Sequence, residues 1–142
     1  MLVRDIMTET AATVPHDATL REVASRMRDL DVGFLPVCDG ERIVGTLTDR
    51  DLVIRALADD CGADTPASQV MTRAVVTCFD DDPIGKASAA MAVHQVRRLI
   101  VLDRAKKLVG VLSLGDVSTR AHEEHLSARA LEGVSEDRAR PG

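Results

Sequence analysis

An internal duplication constrains this 142-residue chain more than any other feature of its sequence. Asp5-Ile6-Met7-Thr8 returns in the second half of the chain as Gln69-Val70-Met71-Thr72. After one inserted residue, Val44-Gly45-Thr46-Leu47-Thr48 returns as Val109-Gly110-Val111-Leu112-Ser113. A repeat of about 60 residues is too small to bury a stable core alone. The duplication therefore predicts two copies of one structural unit that pack on each other.

Each copy reads as strand, helix, strand, strand, helix. In the first copy, Thr13-Val14 is a very short strand, and apolar residues from Leu20 to Met27 recur at helical spacing. Thr19 and Glu22 predict a capping box at the start of this helix, and the helix is expected to stop near Asp31 to Gly33, where glycine can end it.

The rest of the first copy predicts a hairpin and a second helix. Phe34–Cys38 is an apolar strand that Pro36 confines to an edge or an irregular path, and Arg42–Thr48 returns after the Asp39-Gly40 turn. The helix at 49–58 is expected to bury Leu52, Val53, Ala56 and Leu57.

The second copy follows the same order. A helix opened by Pro83 precedes strands at Arg98–Leu102 and Leu108–Leu112, and a longer helix runs from Leu114 to about residue 131. We expect repeat 1 at residues 1–60, a linker at 61–66, repeat 2 at 67–125, and a helix end with a frayed tail at 126–142.

Composition excludes several classes of protein. Aromatic residues are 1% of the chain and the net charge is −5, which argues against stacking platforms and basic fields for nucleic acid. No apolar run has the length of a membrane span, and no signal-peptide pattern is present, so we expect a cytoplasmic protein. Cys38, Cys61 and Cys78 read as ordinary reduced thiols.

The strongest chemical pattern is a hydroxyl followed three residues later by a carboxylate, at the end of a strand. It occurs as Thr48 with Asp51 and again as Ser113 with Asp116. One interpretation is helix capping, with the carboxylate facing the helix dipole. The other is a ligand site, since a carboxylate beside a hydroxyl at a helix start suits the cis-diol of a sugar. The recurrence in register favours the ligand site.

Together these motifs resemble a pair of CBS (cystathionine-β-synthase) domains, the arrangement called a Bateman module. The resemblance covers about residues 1–120 and rests on the repeat starts, on Gly33–Val37 and Val96–Val101, and on Gly45–Asp51 and Gly110–Asp116. Stand-alone bacterial CBS pairs of the hypoxic-response and general-stress type are the most similar. The resemblance implies an α/β fold of tandem βαββα repeats related by a pseudo-two-fold axis.

The resemblance also implies a function. A Bateman module of this kind is a regulatory sensor without catalytic activity, requires no cofactor, and binds AMP, ADP or ATP in clefts between its repeats. Thr48, Asp51, Ser113 and Asp116 would bind ribose, and Arg50, Arg97 and Arg98 would bind phosphate. Other residues would form the wall beside the base or border the ligand with their backbone. They are Met7, Thr13, Val14, Val32, Gly33, Met71, Thr77 and Val96.

The two clefts are expected to differ. Arg97 and Arg98 would point from the second repeat into the Asp51 cleft, whereas Gly33 and Phe34 occupy their positions in the first repeat. An arginine fork binds phosphate bidentately, so the Asp51 cleft is expected to prefer phosphorylated ligands. A solvated strand edge is the alternative for the arginine pair.

Two other functions stay open. One is a scaffold with empty clefts, and the other is a redox- or metal-responsive stress protein that uses the cysteines with His94, His122 and His125. The module is expected to be a homodimer with a possible protein effector. Apolar positions on the helices that end the repeats would form the dimer face: Leu52, Val53, Ala56, Val117 and Ala121.

Overall fold

The computed structural model describes residues 1–120, 122, 123, 126, 129 and 130. The strands are β1 Thr8–Glu9, β2 Val14–Pro15, β3 Phe34–Asp39, β4 Arg42–Thr48, β5 Thr77–Phe79, β6 Arg98–Leu102 and β7 Leu108–Ser113. The helices are α1 Leu20–Leu30, α2, which is α-helical over Asp49–Asp51 and π-helical over Leu52–Leu57, α3 Ile84–His94, and α4 from residue 114. Single 3₁₀ turns lie at Val3–Asp5 and Ala67–Gln69.

The chain forms two compact units whose limits differ from the predicted repeats. One unit is Ala11–Val75, and the other joins Met1–Thr10 to the chain from Val76 onward. The opening segment of each sequence copy thus belongs to the unit of the other copy. Each unit also has its own aliphatic core.

In the unit Ala11–Val75, the sheet order is β2-β3-β4, with β2 parallel and β4 antiparallel to β3. Thr46 on β4 also forms a bridge with Thr72, which brings the start of the second sequence copy to the β4 edge. The side chain of Thr19 caps α1 by accepting a hydrogen bond from the Glu22 N–H at 3.2 Å, which confirms the predicted helix start.

The other unit repeats this plan. Its sheet order is β1-β7-β6-β5, in which β5 runs parallel to β6 and the remaining pairs are antiparallel. Thr8 on β1 pairs with Val111 on β7, as Thr72 pairs with Thr46 in the first unit. The predicted α/β class with two similar repeats is confirmed. Within the described residues, no helix is both long and apolar enough to span a membrane.

Two local predictions in the first copy are confirmed, the irregular path of the strand that holds Pro36 and the end of α1. Pro36 lies on β3, which pairs with β2 only from Val37 onward and has a register shift against β4 between Val37 and Cys38. Helix α1 ends at Leu30 with a left-handed Asp31 (φ 54°) as its C-cap, within the expected range of Asp31 to Gly33. A Cβ at Gly33 would lie 2.7 Å from the carboxylate of the exposed Asp49 side chain, which would have to shift.

The predicted buried side of α2 is correct for Leu52 and Ala56 and wrong for Val53 and Leu57. Ala56 is buried and Leu52 half-buried, but Val53 is 57% and Leu57 69% exposed. The Ala58 N–H donates to Val53 O at 3.0 Å, a bond that spans five residues. A π-helix has a wider turn than an α-helix, so an apolar spacing chosen for 3.6 residues per turn does not stay on one face.

Candidate functional site

The Thr48–Asp51 segment folds as a reciprocal capping box where β4 passes into α2. The Asp51 N–H donates to Thr48 Oγ1 at 3.0 Å, and the Thr48 N–H donates to Asp51 Oδ2 at 3.0 Å. The capping interpretation is therefore correct as a local description. The capping box occupies Oδ2 of the Asp51 carboxylate. Among the described residues, Asp51 Oδ1 has no protein hydrogen-bond partner.

The Ser113–Asp116 segment has the same geometry where β7 passes into α4. The Asp116 N–H donates to Ser113 Oγ at 2.9 Å, and the Ser113 N–H donates to Asp116 Oδ2 at 3.0 Å. Both boxes are half-buried. Each holds an ionisable carboxylate rigidly at a helix start, with one oxygen available to accept hydrogen bonds from vicinal hydroxyls of a ligand.

Different residues flank the two boxes. Beside the first, Gly33 O accepts the Asp49 N–H at 2.9 Å, and Phe34 pairs with Thr48 across the sheet. The exposed Arg50 donates its N–H to Asp49 Oδ1 at 2.8 Å. The backbone of Gly33 therefore lies close to this box. Of the flanking residues named here, Arg50 carries the positive charge.

Beside the second box lie the two predicted phosphate-binding arginines. Arg97 O accepts the Leu114 N–H at 2.7 Å, and Arg98 pairs with Ser113 across β6 and β7. Both arginines are exposed. Their backbones thus adjoin the Asp116 box of their own unit, and their predicted reach toward Asp51 stays a prediction.

The predicted wall residues are divided between the units. Thr13, Val14, Val32, Gly33 and Met71 lie in the unit Ala11–Val75, and Met7, Thr77 and Val96 lie in the other. The Val14 and Met71 side chains are core residues, 2% and 5% exposed, so in this structure only their backbone is available to border a ligand.

Arg55 and Arg73 were not among the predicted site residues. They line a polar groove in the same unit as the Thr48–Asp51 box. The available signal was spacing, since Arg55 follows Asp51 by one helical turn and Arg73 follows the duplicated Met71-Thr72 pair.

The three cysteines have different surroundings. Cys38 and Cys61 are half-buried, and Cys78 is buried in the core of its unit. Burial, reinforced by the Asp82 carboxylate, raises the pKa of the Cys78 thiol to about 11. In the described part of the chain no three His, Cys, Asp or Glu side chains are grouped to hold a metal, and His125 lies outside that part.

We expect Cys78 to resist thiol reagents in the folded protein. At pH 8 roughly one Cys78 in a thousand is a thiolate if its pKa is about 11, whereas an ordinary thiol is far more reactive. Titration with an aromatic disulfide reagent should show Cys38 and Cys61 reacting first and Cys78 last. In denaturant all three should react at similar rates, and a Cys78→Ala variant should lack the slow phase. Uniform rates in the native protein would contradict the burial described above.

Comparison with known proteins identifies the family. The CBS domain family model matches residues 3–57 and 67–123. CBS domain-containing protein YhcV of Bacillus subtilis is 37% identical over 133 residues, 94% of each chain. Hypoxic response protein 1 of Mycobacterium tuberculosis is 34% identical over 133 residues, 92% of each chain. This chain therefore belongs to the CBS domain family, as a pair of CBS domains.

Solved structures of similar fold include proteins with bound ligands. Hypoxic Response Protein I, solved with two coordinated zinc ions, has a TM-score of 0.70 and 35% identity, covering 84% of this chain and 98% of its own. The CBS domain protein PAE2072 of Pyrobaculum aerophilum, complexed with AMP, has a TM-score of 0.70 and 30% identity, covering 82% and 89%. Proteins built on CBS pairs are generally regulatory modules.

Proposed function

We propose that this protein is a regulatory sensor of adenine nucleotides without catalytic activity of its own. The observation that carries the proposal is the capping box formed twice, by Thr48 with Asp51 and by Ser113 with Asp116, each with one carboxylate oxygen that has no partner among the described residues. A ribose offers two adjacent hydroxyl donors to such an oxygen. The AMP complex of PAE2072 supports the choice of adenine nucleotide.

The finer parts of this proposal concern the ligand and its setting. AMP, ADP and ATP are the proposed ligands, held in clefts between the repeats, with no cofactor required. The signal would pass through a homodimer or a protein effector. The cytoplasmic compartment expected from the sequence stays a prediction.

A thermal-shift series tests this function. A ligand at 100 times its Kd stabilises the folded state by about 2.7 kcal/mol, so AMP, ADP, ATP, NAD and S-adenosylmethionine should be separable by their shifts in Tm. The matched control is dAMP, which lacks the 2′-hydroxyl and should bind more weakly than AMP if Asp51 or Asp116 holds the diol. No shift with any adenine compound would favour the scaffold alternative with empty clefts.

A metal-responsive function is the second candidate, because Hypoxic Response Protein I was solved with two zinc ions. It would draw on the histidines and cysteines named above, of which His125 lies outside the described residues. Calorimetric titration with zinc, with a His122→Ala/His125→Ala double variant as the comparison, tests it. Zinc binding that this variant abolishes would support the metal function.

We expect the protein to be a homodimer that covers the apolar residues exposed on α2. Leu57 is 69% and Val53 57% exposed, while Ala121 of the predicted dimer face lies outside the described residues. Burying a leucine side chain contributes about 2 kcal/mol, so Leu57→Glu should weaken the dimer at least tenfold. Light scattering at micromolar concentration measures this, with Val93→Glu, an exposed position on α3, as the control. A monomeric parent protein would overturn the expectation.

A further inference from the structure

A polar groove of about 650 Å³ lies within the unit Ala11–Val75, beyond the Thr48–Asp51 box. Its volume is within the roughly 300–1,000 Å³ usual for small-ligand sites. Helix α2 contributes one side, and the segment that opens the second sequence copy contributes the rest. The lining residues are Arg55, Ser68, Gln69, Met71, Thr72 and Arg73.

Both arginines of the groove keep most of their hydrogen-bond donors unused. Arg55 Nη1 donates to Thr72 Oγ1 at 3.1 Å, and Arg73 Nη2 makes a long contact of 3.5 Å to Ser68 O. Among the described residues, neither guanidinium forms an ion pair with a carboxylate. A guanidinium has five N–H donors, so the groove offers donors and uncompensated positive charge to an anion.

The groove adjoins the ribose-type box through two elements. Arg55 follows Asp51 by four residues on α2, with Asp51 at the end of its α-helical part and Arg55 in its π-helical part. Thr72 pairs with Thr46, two residues before the end of β4 at Thr48. Arg55 also lies on the π-helical stretch of α2, and such segments occur frequently at functional sites.

The other unit lacks this charge arrangement at the corresponding positions. Thr8 pairs with β7 as Thr72 pairs with β4, and the residue after it is Glu9 where the first unit has Arg73. The residue four positions after Asp116 is Arg120, which pairs with Glu123 at 3.6 Å. The first unit thus has two arginines, Arg55 and Arg73, with no carboxylate partner among the described residues. The corresponding positions of the second unit hold Arg120, which is paired with Glu123, and the carboxylate of Glu9.

We propose that Arg55 and Arg73 bind the phosphate groups of a nucleotide whose ribose is held by the Thr48–Asp51 box. This inference rests on the proposed function and adds to it a phosphate site within the first unit, separate from the predicted contribution of Arg97 and Arg98. Guanidinium groups bind phosphate oxygens bidentately, which favours nucleotides over nucleosides. The second unit, with Glu9 in place of Arg73, is the weaker phosphate site.

Calorimetry with adenosine, ADP and inorganic pyrophosphate tests the assignment on the full chain. Arg73→Glu makes the first unit resemble the second, and it should weaken ADP binding about tenfold, the value of one charged hydrogen bond, while leaving adenosine unchanged. Glu9→Arg makes the opposite exchange and should strengthen ADP binding at the second unit. Arg42→Glu, the same charge change at the far end of β4, is the control and should alter neither ligand.

The outcomes separate this inference from the proposed function. If adenosine binds and Arg73→Glu affects ADP no more than Arg42→Glu does, the phosphate assignment is wrong and nucleoside binding stands. If neither adenosine nor ADP binds the parent protein, the proposed function fails and the assignment fails with it. Equal loss of adenosine and ADP, checked with the milder Arg73→Gln, also overturns it. Loss of pyrophosphate binding alone would indicate a free-anion site and contradict a shared nucleotide.

Discussion

AMP binding measured by calorimetry should be largely lost in Asp51→Ala and largely kept in Asp116→Ala. Both substitutions remove the same capping carboxylate, so their effects on the helix start are matched. They differ in the positive charge expected near the ligand, which is greater at the Asp51 site. A hydrogen bond to a charged group contributes about 1.5–3 kcal/mol, so the two variants should differ in AMP affinity by about tenfold or more.

Arg98→Ala extends this test to the predicted contribution of the second repeat. It should weaken AMP far more than adenosine, since the guanidinium is expected to contact phosphate and not ribose. If Asp116→Ala proves to be the damaging change, the phosphate lies at the box beside which Arg98 begins β6. If adenosine and AMP lose affinity equally in Arg98→Ala, that arginine is not a phosphate ligand.

Gly45→Ala should lower stability by about 1–3 kcal/mol, the usual cost of forcing a methyl group into a filled space. A Cβ at Gly45 would lie 2.6 Å from Met71 Sδ and 2.8 Å from Thr72 O, and the backbone oxygen cannot move without breaking the Thr46–Thr72 bridge. Gly110→Ala should behave alike, because its Cβ would lie 2.6 Å from Thr8 O. Thermal unfolding followed by circular dichroism measures both.

Gly85→Ala is the control for these variants. Nothing lies within 4 Å of a Cβ at Gly85, which is on α3, and alanine favours helices over glycine by up to about 1 kcal/mol. Its Tm should stay level or rise. A fall in Tm for Gly85→Ala equal to that for Gly45→Ala would show that steric contact is not the cause.

The elements that follow from local sequence were predictable. Strand β4 and the helix start at Thr19 were predicted at their observed positions. Both depend on residues that are neighbours in the sequence, an apolar run for the strand and an N-cap side chain for the helix. Capping by Thr48 and Ser113 was one of the two interpretations of these motifs, but the reciprocal hydrogen bond to each carboxylate was not predicted.

Features that depend on distant residues or on hydrogen-bond register were not predictable. The π-helical path of Leu52–Leu57 changes which side chains are buried, and no apolar spacing specifies a bond across five residues. Strand β1 has two residues and exists through its pairing with β7. The groove of Arg55 and Arg73 combines α2 with a segment from the other sequence copy, so neither motif alone indicates it.

The exchange of opening segments between the two units has a consequence for synthesis on the ribosome. The unit Ala11–Val75 is complete once Val75 has emerged, whereas β1, made earlier, pairs only with β7, which ends at Ser113. At a synthesis rate of roughly 5–20 residues per second, several seconds pass between the synthesis of β1 and that of β7. During that interval residues 1–4 can already bond to residues 80–84, but β1 has no strand partner, and its pairing with β7 is the step that covers the edge of that strand.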